Sequence, residues 1–350
     1  MHFPVDSTVT YFLTTVEPIF FKNSMNLISS QELRTRMNAL GRAGTPFVWG
    51  TDYAKKDCFI LESPFDTSDI LWEVQGVGNA ADLTIDSPSP TLDITREVDY
   101  TTYSEMFATL RSGLMRGDSF LANLTAPTQV DCSGSIKDIF LHSRAPFKLL
   151  IPDRFVCFSP EPFVRISDGY ISAFPMKGTI DASLPDAERI LMDDYKETCE
   201  HYTIVDLMRN DLNIVAKEVC VPRLRYVERI ATNTRDILQT SSEVRGKIPH
   251  NKPFDFGDII LPLLPAGSIT GAPKPATVDL IARSEIAPRG WYTGVFGYFD
   301  GNVMQSAVMI RCIQRADDGK LYFHSGGGVT VNSNCREEYE ELLTKVYLTK

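Results

Sequence analysis

The stretch from Tyr292 to Ser325 decides the fold and reads YTGVFGYFDGNVMQSAVMIRCIQRADDGKLYFHS. Apolar runs within it predict three strands, Tyr292–Phe299, Val303–Gln314 and Lys320–Ser325. The connections between these runs are Asp300-Gly301-Asn302 and Asp317-Asp318-Gly319. Asp-Gly pairs between apolar runs are typical of antiparallel hairpins, because both residues tolerate the positive φ that such turns need. The stretch therefore predicts consecutive antiparallel strands.

Similar short apolar runs continue towards the N-terminus. They predict strands at Pro46–Trp49, Cys58–Leu61, Ile70–Val74, Ser119–Thr125, Phe147–Ile151, Arg154–Ser159, Phe163–Ser167 and Gly169–Phe174. Helical spacing of apolar residues predicts helices over Tyr103–Arg116, Asp186–Leu212 and Arg336–Leu348. The strands connect through tight turns such as Ser167-Asp168-Gly169, and the helices are grouped rather than alternating with single strands. This pattern indicates an α+β fold with largely antiparallel sheet.

One compositional seam divides the chain. Asp86-Ser87-Pro88-Ser89-Pro90-Thr91 lacks the hydrogen-bond donors that helices and ladders need, so it is predicted to be a loop. We expect residues 1–90 to add strands to the main fold and residues 91–350 to form the catalytic domain. Met1–Asp6 lacks the features of a signal peptide, and the seven cysteines contain no CxxC pair. A reducing, cytoplasmic location is expected.

Composition excludes several classes of partner. The 350 residues carry 35 Lys and Arg against 45 Asp and Glu, a net charge of −10. Such an acidic chain is a poor match for nucleic acid or an anionic membrane, since both require a basic surface. The sequence contains no run of 18 apolar residues and no HxxxH or HExxH motif. We therefore expect neither a nucleic-acid nor a membrane partner.

Two glycine-rich segments are candidate anion-binding loops. Gly267–Lys274 reads GSITGAPK, and Ser325–Val329 reads SGGGV directly after a predicted strand. Backbone N–H groups of such loops can approach an anion closely, with Lys274 as counter-charge in the first. Pro275 follows Lys274 where a nucleotide-binding P-loop has a hydroxyl residue, so a nucleotide site is disfavoured. A plain turn and a β-bulge are the respective alternatives.

Four carboxylates lie on two predicted helices. Glu197 and Glu200 are one turn apart, and so are Glu338 and Glu341, with Lys345 one turn further on. Two carboxylates from separate helices can ligate a Mg²⁺ that keeps several waters for a substrate oxygen. Solvated helix faces are the alternative.

Two further side chains are candidates for catalysis. Lys177 ends a predicted strand beside Gly178 and Thr179, where partial burial would lower its pKa and make it a nucleophile. Glu161 lies between Pro160 and Pro162, and a rigid backbone suits a general acid. An exposed lysine and a plain turn are the alternatives.

These segments, in this order, resemble the chorismate-utilising enzymes over about residues 100–348. The matching strings are SPE at 159–161, MKGT at 176–179, EHYTIVDLMRNDL at 200–212, GSITGAPK at 267–274, IR at 310–311, GGG at 326–328 and EYEE at 338–341. The resemblance implies a sandwich of two large, mostly antiparallel sheets flanked by helices, with a chorismate and Mg²⁺ site between them.

The resemblance also implies roles for individual residues. Glu200 and Glu341 look like the magnesium ligands, with Glu197 and Glu338 beside them. The residues that look like chorismate contacts, largely to its two carboxylates, are Gly178, Thr179, Ser268, Thr270, Lys274, Tyr292, Arg311, Gly326, Gly327, Gly328 and Lys345. Because chorismate is a dianion and the chain is acidic, charge compensation has to be local.

Two positions discriminate between branches of this family. Isochorismate and salicylate synthases resemble one another in a lysine that activates water, but Ser119–Thr125 offers no lysine. Lys177 instead resembles the aminodeoxychorismate synthase branch, which implies a covalent Lys177 adduct, Glu161 as acid, and ammonia from a partner glutaminase subunit. Anthranilate synthase component I and a non-catalytic protein of the same fold are the alternatives.

Three departures from the family pattern limit what can be transferred. Pro162 stands where relatives carry arginine after the SPE string, so the pKa environment of Glu161 differs. Gln239 stands where many relatives carry histidine, so no proton transfer is assigned there. No counterpart of the tryptophan-binding segment is evident, and no inhibition by tryptophan is expected.

Overall fold

The computed structural model describes residues 27–66, 70–230, 236–250 and 254–348. The expectation about a signal peptide at Met1–Asp6 falls outside these ranges. The helices in the described ranges are α1 Ser30–Ala43, α2 Tyr100–Arg116, α3 Ile136–His142, α4 Ala187–Asp193, α5 Tyr195–Leu212, α6 Phe256–Ile260, α7 Lys274–Ser284 and α8 Cys335–Thr344. None of these helices is both long enough and apolar enough to cross a membrane.

The described strands form two nine-stranded sheets whose pairings are all antiparallel. Their bounds are β1 Phe47–Thr51, β2 Cys58–Leu61, β3 Leu71–Val74, β4 Val77–Gly78, β5 Leu92–Arg96, β6 Leu121–Cys132, β7 Phe147–Ile151, β8 Phe155–Ser159, β9 Pro162–Ser167, β10 Tyr170–Ala173, β11 Met176–Asp181, β12 Lys217–Ile230, β13 Ile237–Lys247, β14 Gly271–Ala272, β15 Val295–Phe299, β16 Met304–Val308, β17 Cys312–Arg315 and β18 Leu321–Val329.

The first sheet has the order β11-β13-β10-β9-β16-β15-β1-β2, with β12 on β13. The second has the order β14-β6-β18-β17-β8-β7-β3-β4, with β5 on β6. Apolar side chains of both sheets share one core, in which the rings of Trp72 and Tyr298 lie 4.6 Å apart. The predicted α+β class, with two large antiparallel sheets flanked by helices, is confirmed.

Helices cover the outer faces of the two sheets. Leu33 and Met37 of α1 and Val205 of α5 are buried against the first sheet, in one core with Trp49. On the second sheet, α2, α7 and α8 share a core with β6. β11, at one edge of the first sheet, packs against α5, and β18, between β6 and β17 in the second sheet, packs against α8.

The stretch from Val303 to Gln314, predicted as one strand, is two strands in different sheets. β16 belongs to the first sheet and β17 to the second, and the chain crosses between them at Met309–Arg311. Arg311 takes up the change of direction with a φ of 53°, in the left-handed region that costs energy for a residue with a Cβ. Apolar periodicity alone does not reveal such a crossing, because β16 and β17 are both largely buried and apolar.

The helix predicted over Asp186–Leu212 is also interrupted. Asp194 has an extended backbone between α4 and α5, and its carboxylate accepts the N–H of Glu197 at 2.9 Å. This side chain caps α5 at its N-terminus, the usual role of aspartate at such a position. The break allows α5 to begin beside β11.

The N-terminal strands divide between the sheets. β1 and β2 complete one edge of the first sheet, and β3 and β4 complete one edge of the second. The seam at 86–91 contains neither helix nor strand and lies between β4 and β5. The domain boundary at residue 90 stays a prediction.

Candidate active site

Lys177 and Glu200 form the first contact of the candidate site. Gly178 has a φ of 77° and interrupts the β11–β13 register between Lys177 and Thr179. This bulge re-aims the strand at its edge. Lys177 Nζ lies 2.7 Å from Glu200 Oε2 of α5, and the two side chains are 44% and 38% exposed. A Cβ on Gly178 would lie 3.2 Å from Glu197 Oε2, so a side chain there would crowd this carboxylate.

The electrostatics of Lys177 differ from the expectation. Burial disfavours its charged form, but the hydrogen bond to Glu200 and the charges of Glu200, Glu197 and Glu341 outweigh burial and raise its pKa. The predicted lowering of the Lys177 pKa is therefore wrong for the site in this state. The ammonium has to give up a proton before the nitrogen can attack a substrate.

The glycine triplet of β18 meets the acidic face of α8. A Cβ on Gly327 would lie 3.2 Å from Glu338 Oε2 and 3.3 Å from Glu341 Oε1. Lys345 Nζ donates to Glu341 Oε1 at 2.6 Å and to the Gly326 carbonyl at 2.8 Å. The carboxylates can reach the strand backbone because Gly327 has no side chain.

The charges on α5 and α8 influence each other. Burial raises the pKa of Glu341, but Lys345, Lys177 and Lys196 outweigh it, so the pKa is below its usual range. Burial, partly opposed by Ser333 and supported by the neighbouring Glu341, raises the pKa of Glu338. The two acidic helices thus face one space, with lysines compensating their charge.

The carboxylates suit a divalent cation that is held only partly by protein. Oxygen donors are the type that Mg²⁺ takes, and it commonly keeps most of its ligands as water or substrate oxygens. No group of three acidic, histidine or cysteine side chains in the described ranges is arranged as a ready metal cage. Glu200 on α5 and Glu341 on α8 offer carboxylate oxygens of this type, and the charges of both act on Lys177.

Glu161 lies in a protected position beside Ser268. The Ser268 hydroxyl donates to Glu161 Oε1 at 2.7 Å. Burial raises the pKa of Glu161, and the hydrogen bond from Ser268 and the charges of Arg311 and Lys345 oppose the shift without cancelling it. A carboxyl group with a raised pKa can stay protonated and donate its proton, which is what a general acid requires.

Arg311 and Tyr292 are two further predicted substrate contacts, and the charge of Arg311 acts on Tyr292. Burial raises the pKa of Tyr292, although the charges of Arg289 and Arg311 oppose this, so the phenol stays neutral. Arg311 Nη2 donates to the hydroxyl of Tyr347 at 3.0 Å. Because its charge also acts on Glu161, Arg311 belongs to the same electrostatic neighbourhood.

Two predicted substrate contacts, Lys274 and Thr270, have hydrogen-bond partners within the protein. Lys274 Nζ lies 3.0 Å from Asp211 Oδ2 and donates to the Leu263 carbonyl at 2.6 Å. Thr270 is buried, and its hydroxyl donates to the Ala266 carbonyl at 2.8 Å. Lys274 therefore holds the loop onto α5 through Asp211, and its role in compensating substrate charge stays a prediction. Only Ser268 of this loop turns towards a candidate catalytic group.

Sequence reasoning missed a buried ion pair that supports the site. Arg289 and Glu285 lie 2.7 Å apart with almost no exposure. Arg289 donates to the carbonyls of Ile269 and Asn123, and Glu285 accepts from the N–H and hydroxyl of Thr125. The pair joins the loop at 267–271 to β6. Its spacing of four residues was a possible signal, but such pairs are usually exposed on helices.

A buried histidine was missed as well. His201, next to Glu200, accepts or donates a 2.6 Å hydrogen bond with Ser242 Oγ. Burial, with help from the charge of Arg225, lowers the His201 pKa to about 4. The hydroxyl of Thr240 donates to the carbonyl of Lys177, so neutral groups of β13 hold the backbone on which Lys177 is placed.

The site and the fold together define the class of protein. The model of the chorismate binding enzyme family matches residues 58–349, and the chain belongs to this family. The residues brought together by β11, α5, β18 and α8 are those that the resemblance implied for chorismate and its metal.

Similar proteins carry the names of more than one branch of this family. The chain is 48% identical over 323 residues to an uncharacterized PabA-like protein of Haemophilus influenzae, covering 91% of this chain and 96% of that protein. It is 31% identical over 261 residues to aminodeoxychorismate synthase component 1 of Escherichia coli, covering 70% and 56%. The structure of the menaquinone-specific isochorismate synthase of Escherichia coli superimposes with a TM-score of 0.71 at 17% identity, covering 92% and 82%.

Proposed function

We propose that this chain is the chorismate-aminating component of an aminodeoxychorismate synthase. It would convert chorismate and ammonia into 4-amino-4-deoxychorismate and water, a step towards para-aminobenzoate and folate. The observation that carries the proposal is the amine of Lys177, which lies 2.7 Å from Glu200 and within reach of the charges of Glu197 and Glu341. A second amine-bearing or basic side chain suited to activate water is missing from Leu121–Thr125 of β6.

The proposed reaction has two displacements. Lys177 Nζ, after losing a proton, attacks ring carbon C2 while the hydroxyl leaves C4, and Glu161 protonates this hydroxyl so that it departs as water. Ammonia then attacks C4, the bond between Lys177 and C2 breaks, and the carboxylate of Glu161 takes up the surplus proton. Two successive displacements return the double bonds of the ring to their starting arrangement and place nitrogen at C4.

The neighbouring groups bind and orient the substrate. Arg311 and the N–H groups of Gly326–Gly328 are suited to the two carboxylates, since a guanidinium fork and backbone donors both recognise anions. Tyr292 is buried and neutral, and it forms an apolar wall for the ring. Glu200 and Glu341 would hold Mg²⁺, with Glu197 and Glu338 beside them, and a bound Mg²⁺ supplies neutralising charge for a ring carboxylate.

The ammonia source is a second part of the proposal. In this branch of the family a separate glutaminase supplies ammonia, and we propose such a partner subunit here. Chemically, free ammonium at raised pH can replace it, because only the uncharged molecule is the nucleophile.

Product analysis tests the proposal. The purified chain is incubated with chorismate, Mg²⁺ and ammonium, and the products are identified by mass spectrometry. The expected product carries nitrogen at C4 with the side chain of chorismate retained. Anthranilate, isochorismate or unchanged chorismate would each refute the proposal and indicate, respectively, the anthranilate, isochorismate or non-catalytic alternative.

The covalent role of Lys177 is tested separately. Without ammonia, the wild-type chain should gain the mass of chorismate less one water, and the Lys177→Ala variant should not. Lys320→Ala is the matched control, because Lys320 forms an exposed ion pair with Asp318 at 3.2 Å. A Lys177→Ala variant that still aminates C4 at the wild-type rate would exclude the covalent step.

A further inference from the structure

Tyr347, in the segment after α8, contacts the guanidinium of Arg311 in two ways. Its hydroxyl oxygen accepts a hydrogen bond from Arg311 Nη2 at 3.0 Å, and its ring centre lies 4.8 Å from Arg311 Cζ. A cation over an aromatic ring is attracted by the negative face of the ring. Arg311 is therefore held by Tyr347 along two directions.

The segment that carries Tyr347 is itself anchored. The N–H of Val346 donates to the Leu343 carbonyl at 3.1 Å, and Val346 and Leu348 both pack against the buried cluster that contains Phe323. With its two neighbours turned inwards, Tyr347 turns outwards to Arg311 and is 45% exposed. The packing of Val346 and Leu348 therefore holds the Tyr347 side chain in place beside Arg311.

Tyr347 and Arg311 each keep a hydrogen-bond donor that has no acceptor among the described residues. The phenol oxygen accepts from Arg311, so its own O–H remains free to donate. Arg311 Nε is buried and has no hydrogen-bond partner among the described residues. A buried donor without a partner is costly, and an anion that reaches the pair would relieve this cost. The left-handed backbone of Arg311, at a φ of 53°, sets the direction in which its side chain leaves the main chain.

We propose that Tyr347 is a substrate-positioning residue, which holds Arg311 and donates its hydroxyl proton to the same carboxylate that Arg311 binds. The inference rests on the proposed function and names one further residue of that site. The ligand chemistry is a ring dicarboxylate, of which one carboxylate lies across the guanidinium and the phenol. A planar carboxylate accepts two parallel hydrogen bonds, which this pair of donors can supply.

Removal of a single oxygen tests the proposal. In the Tyr347→Phe variant the ring contact to Arg311 remains and the donor is lost. We expect chorismate to bind about tenfold more weakly, as measured by calorimetry with Mg²⁺ and without ammonia, since a hydrogen bond to a charged group is lost. The KM for chorismate should rise by a similar factor with kcat within about twofold of wild type, because Tyr347 touches no reacting atom.

Two further variants make the result specific. Tyr170→Phe is the matched control, because the ring of Tyr170 at the start of β10 also lies near an arginine, with Arg245 Cζ of β13 at 5.2 Å. It should bind chorismate like wild type. In an Arg311→Ala background, Tyr347→Phe should cost less than about threefold, since the two residues hold one carboxylate together.

The outcomes separate the two proposals. Unchanged or tighter binding by Tyr347→Phe, or a fall in kcat at constant KM, would overturn the role of Tyr347. A wild-type chain that binds chorismate but aminates another carbon would overturn the proposed function and leave the role of Tyr347 intact. An equal loss in the wild-type and Arg311→Ala backgrounds would show that Tyr347 acts without Arg311, against the proposal.

Discussion

Lys177 Nζ lies 2.7 Å from Glu200 Oε2, and this ion pair joins the edge strand of one sheet to the helix that packs on it. Both side chains are more than a third exposed, so water and salt screen the pair. An exposed ion pair contributes under about 1 kcal/mol to stability. Loss of the pair should therefore cost little stability, whereas under the proposed function it removes the nucleophile or a metal ligand.

The first prediction separates these two effects. Lys177→Ala and Glu200→Ala should each lower the rate of chorismate turnover by at least about a hundredfold, as expected for loss of a nucleophile or of a metal ligand. Urea unfolding should place both variants within about 1 kcal/mol of wild type. Lys320→Ala, which removes an exposed lysine from another ion pair, should change neither quantity. Destabilisation by several kcal/mol would mean that the pair is structural.

The second prediction compares two adjacent glycines. A Cβ on Gly327 would meet the mobile ends of Glu338, Glu341 and Lys345 at 3.2–3.7 Å. A Cβ on Gly326 would lie 2.3 Å from the Leu124 carbonyl, which the β6–β18 ladder holds in place.

Gly327→Ala should therefore remain folded, within about 1 kcal/mol of wild type, and lose activity because the carboxylates are pushed aside. Gly326→Ala should lose about 3 kcal/mol of stability, because the clash is with backbone atoms that the sheet hydrogen bonds prevent from moving away. Urea unfolding and turnover of chorismate check both variants. Full activity in Gly327→Ala would show that the acidic space near this strand is not used.

The third prediction concerns the pH dependence set by Glu161. Burial raises the pKa of this carboxyl, and the hydrogen bond from Ser268 partly opposes the rise. Ser268→Ala removes the opposing contact, so the pKa rises further and the protonated form persists to higher pH.

If Glu161 is the acid that protonates the departing hydroxyl, the alkaline limb of the kcat profile should move up by about half a pH unit to one unit. Ser172→Ala is the control, because Ser172 makes a similar hydrogen bond to Glu243 at 3.2 Å elsewhere in the first sheet. A downward shift, or none, would remove Glu161 from the role of acid.

The hairpins were predictable because their signals are local. Asp168 and Gly169 have φ values of 53° and 78°, as the Ser167-Asp168-Gly169 turn required, and β2 has the bounds that its apolar run indicated. Local sequence signals did not predict β12, β13, α1 or α7. The segment of β12 is rich in charged residues and contains Pro222, so its apolar alternation is weak even though it pairs along much of β13.

The candidate site was predictable in its residues but not in its charge states. The strings around Lys177, Glu200 and Glu341 pointed to a shared space, and the structure brings them into one electrostatic group. The raised pKa of Lys177 depends on carboxylates that are far apart in sequence, so no local pattern reports it. The ion pair of Lys274 with Asp211 joins α7 to α5 and is likewise not visible in any local pattern.

The fourth prediction tests the buried pair that supports the loop at 267–271. Glu285→Gln leaves the guanidinium of Arg289 buried without its counter-charge, and such a loss costs about 3–5 kcal/mol. Glu32→Gln is the matched control, because Glu32 also pairs with an arginine four residues away, Arg36, but on an exposed helix face. It should cost under about 1 kcal/mol. Equal costs in urea unfolding would show that the pair at 285 and 289 is not desolvated in solution.

The fifth prediction concerns stability and pH at His324, whose ring lies 5.3 Å from that of Tyr292. Burial, and then the charge of Arg289, lowers the pKa of His324 from 6.5 to about 3. Below pH 6.5 the unfolded chain binds a proton that the folded chain refuses, so this residue makes the free energy of unfolding fall as pH decreases, approaching about 1.4 kcal/mol per pH unit. His324→Phe keeps a ring in the same place and removes the titration. Urea unfolding between pH 7 and pH 4 should therefore show the variant losing less stability than wild type, because all other titrating groups are common to both proteins. Parallel curves for the two proteins would mean that His324 is protonated in the folded state.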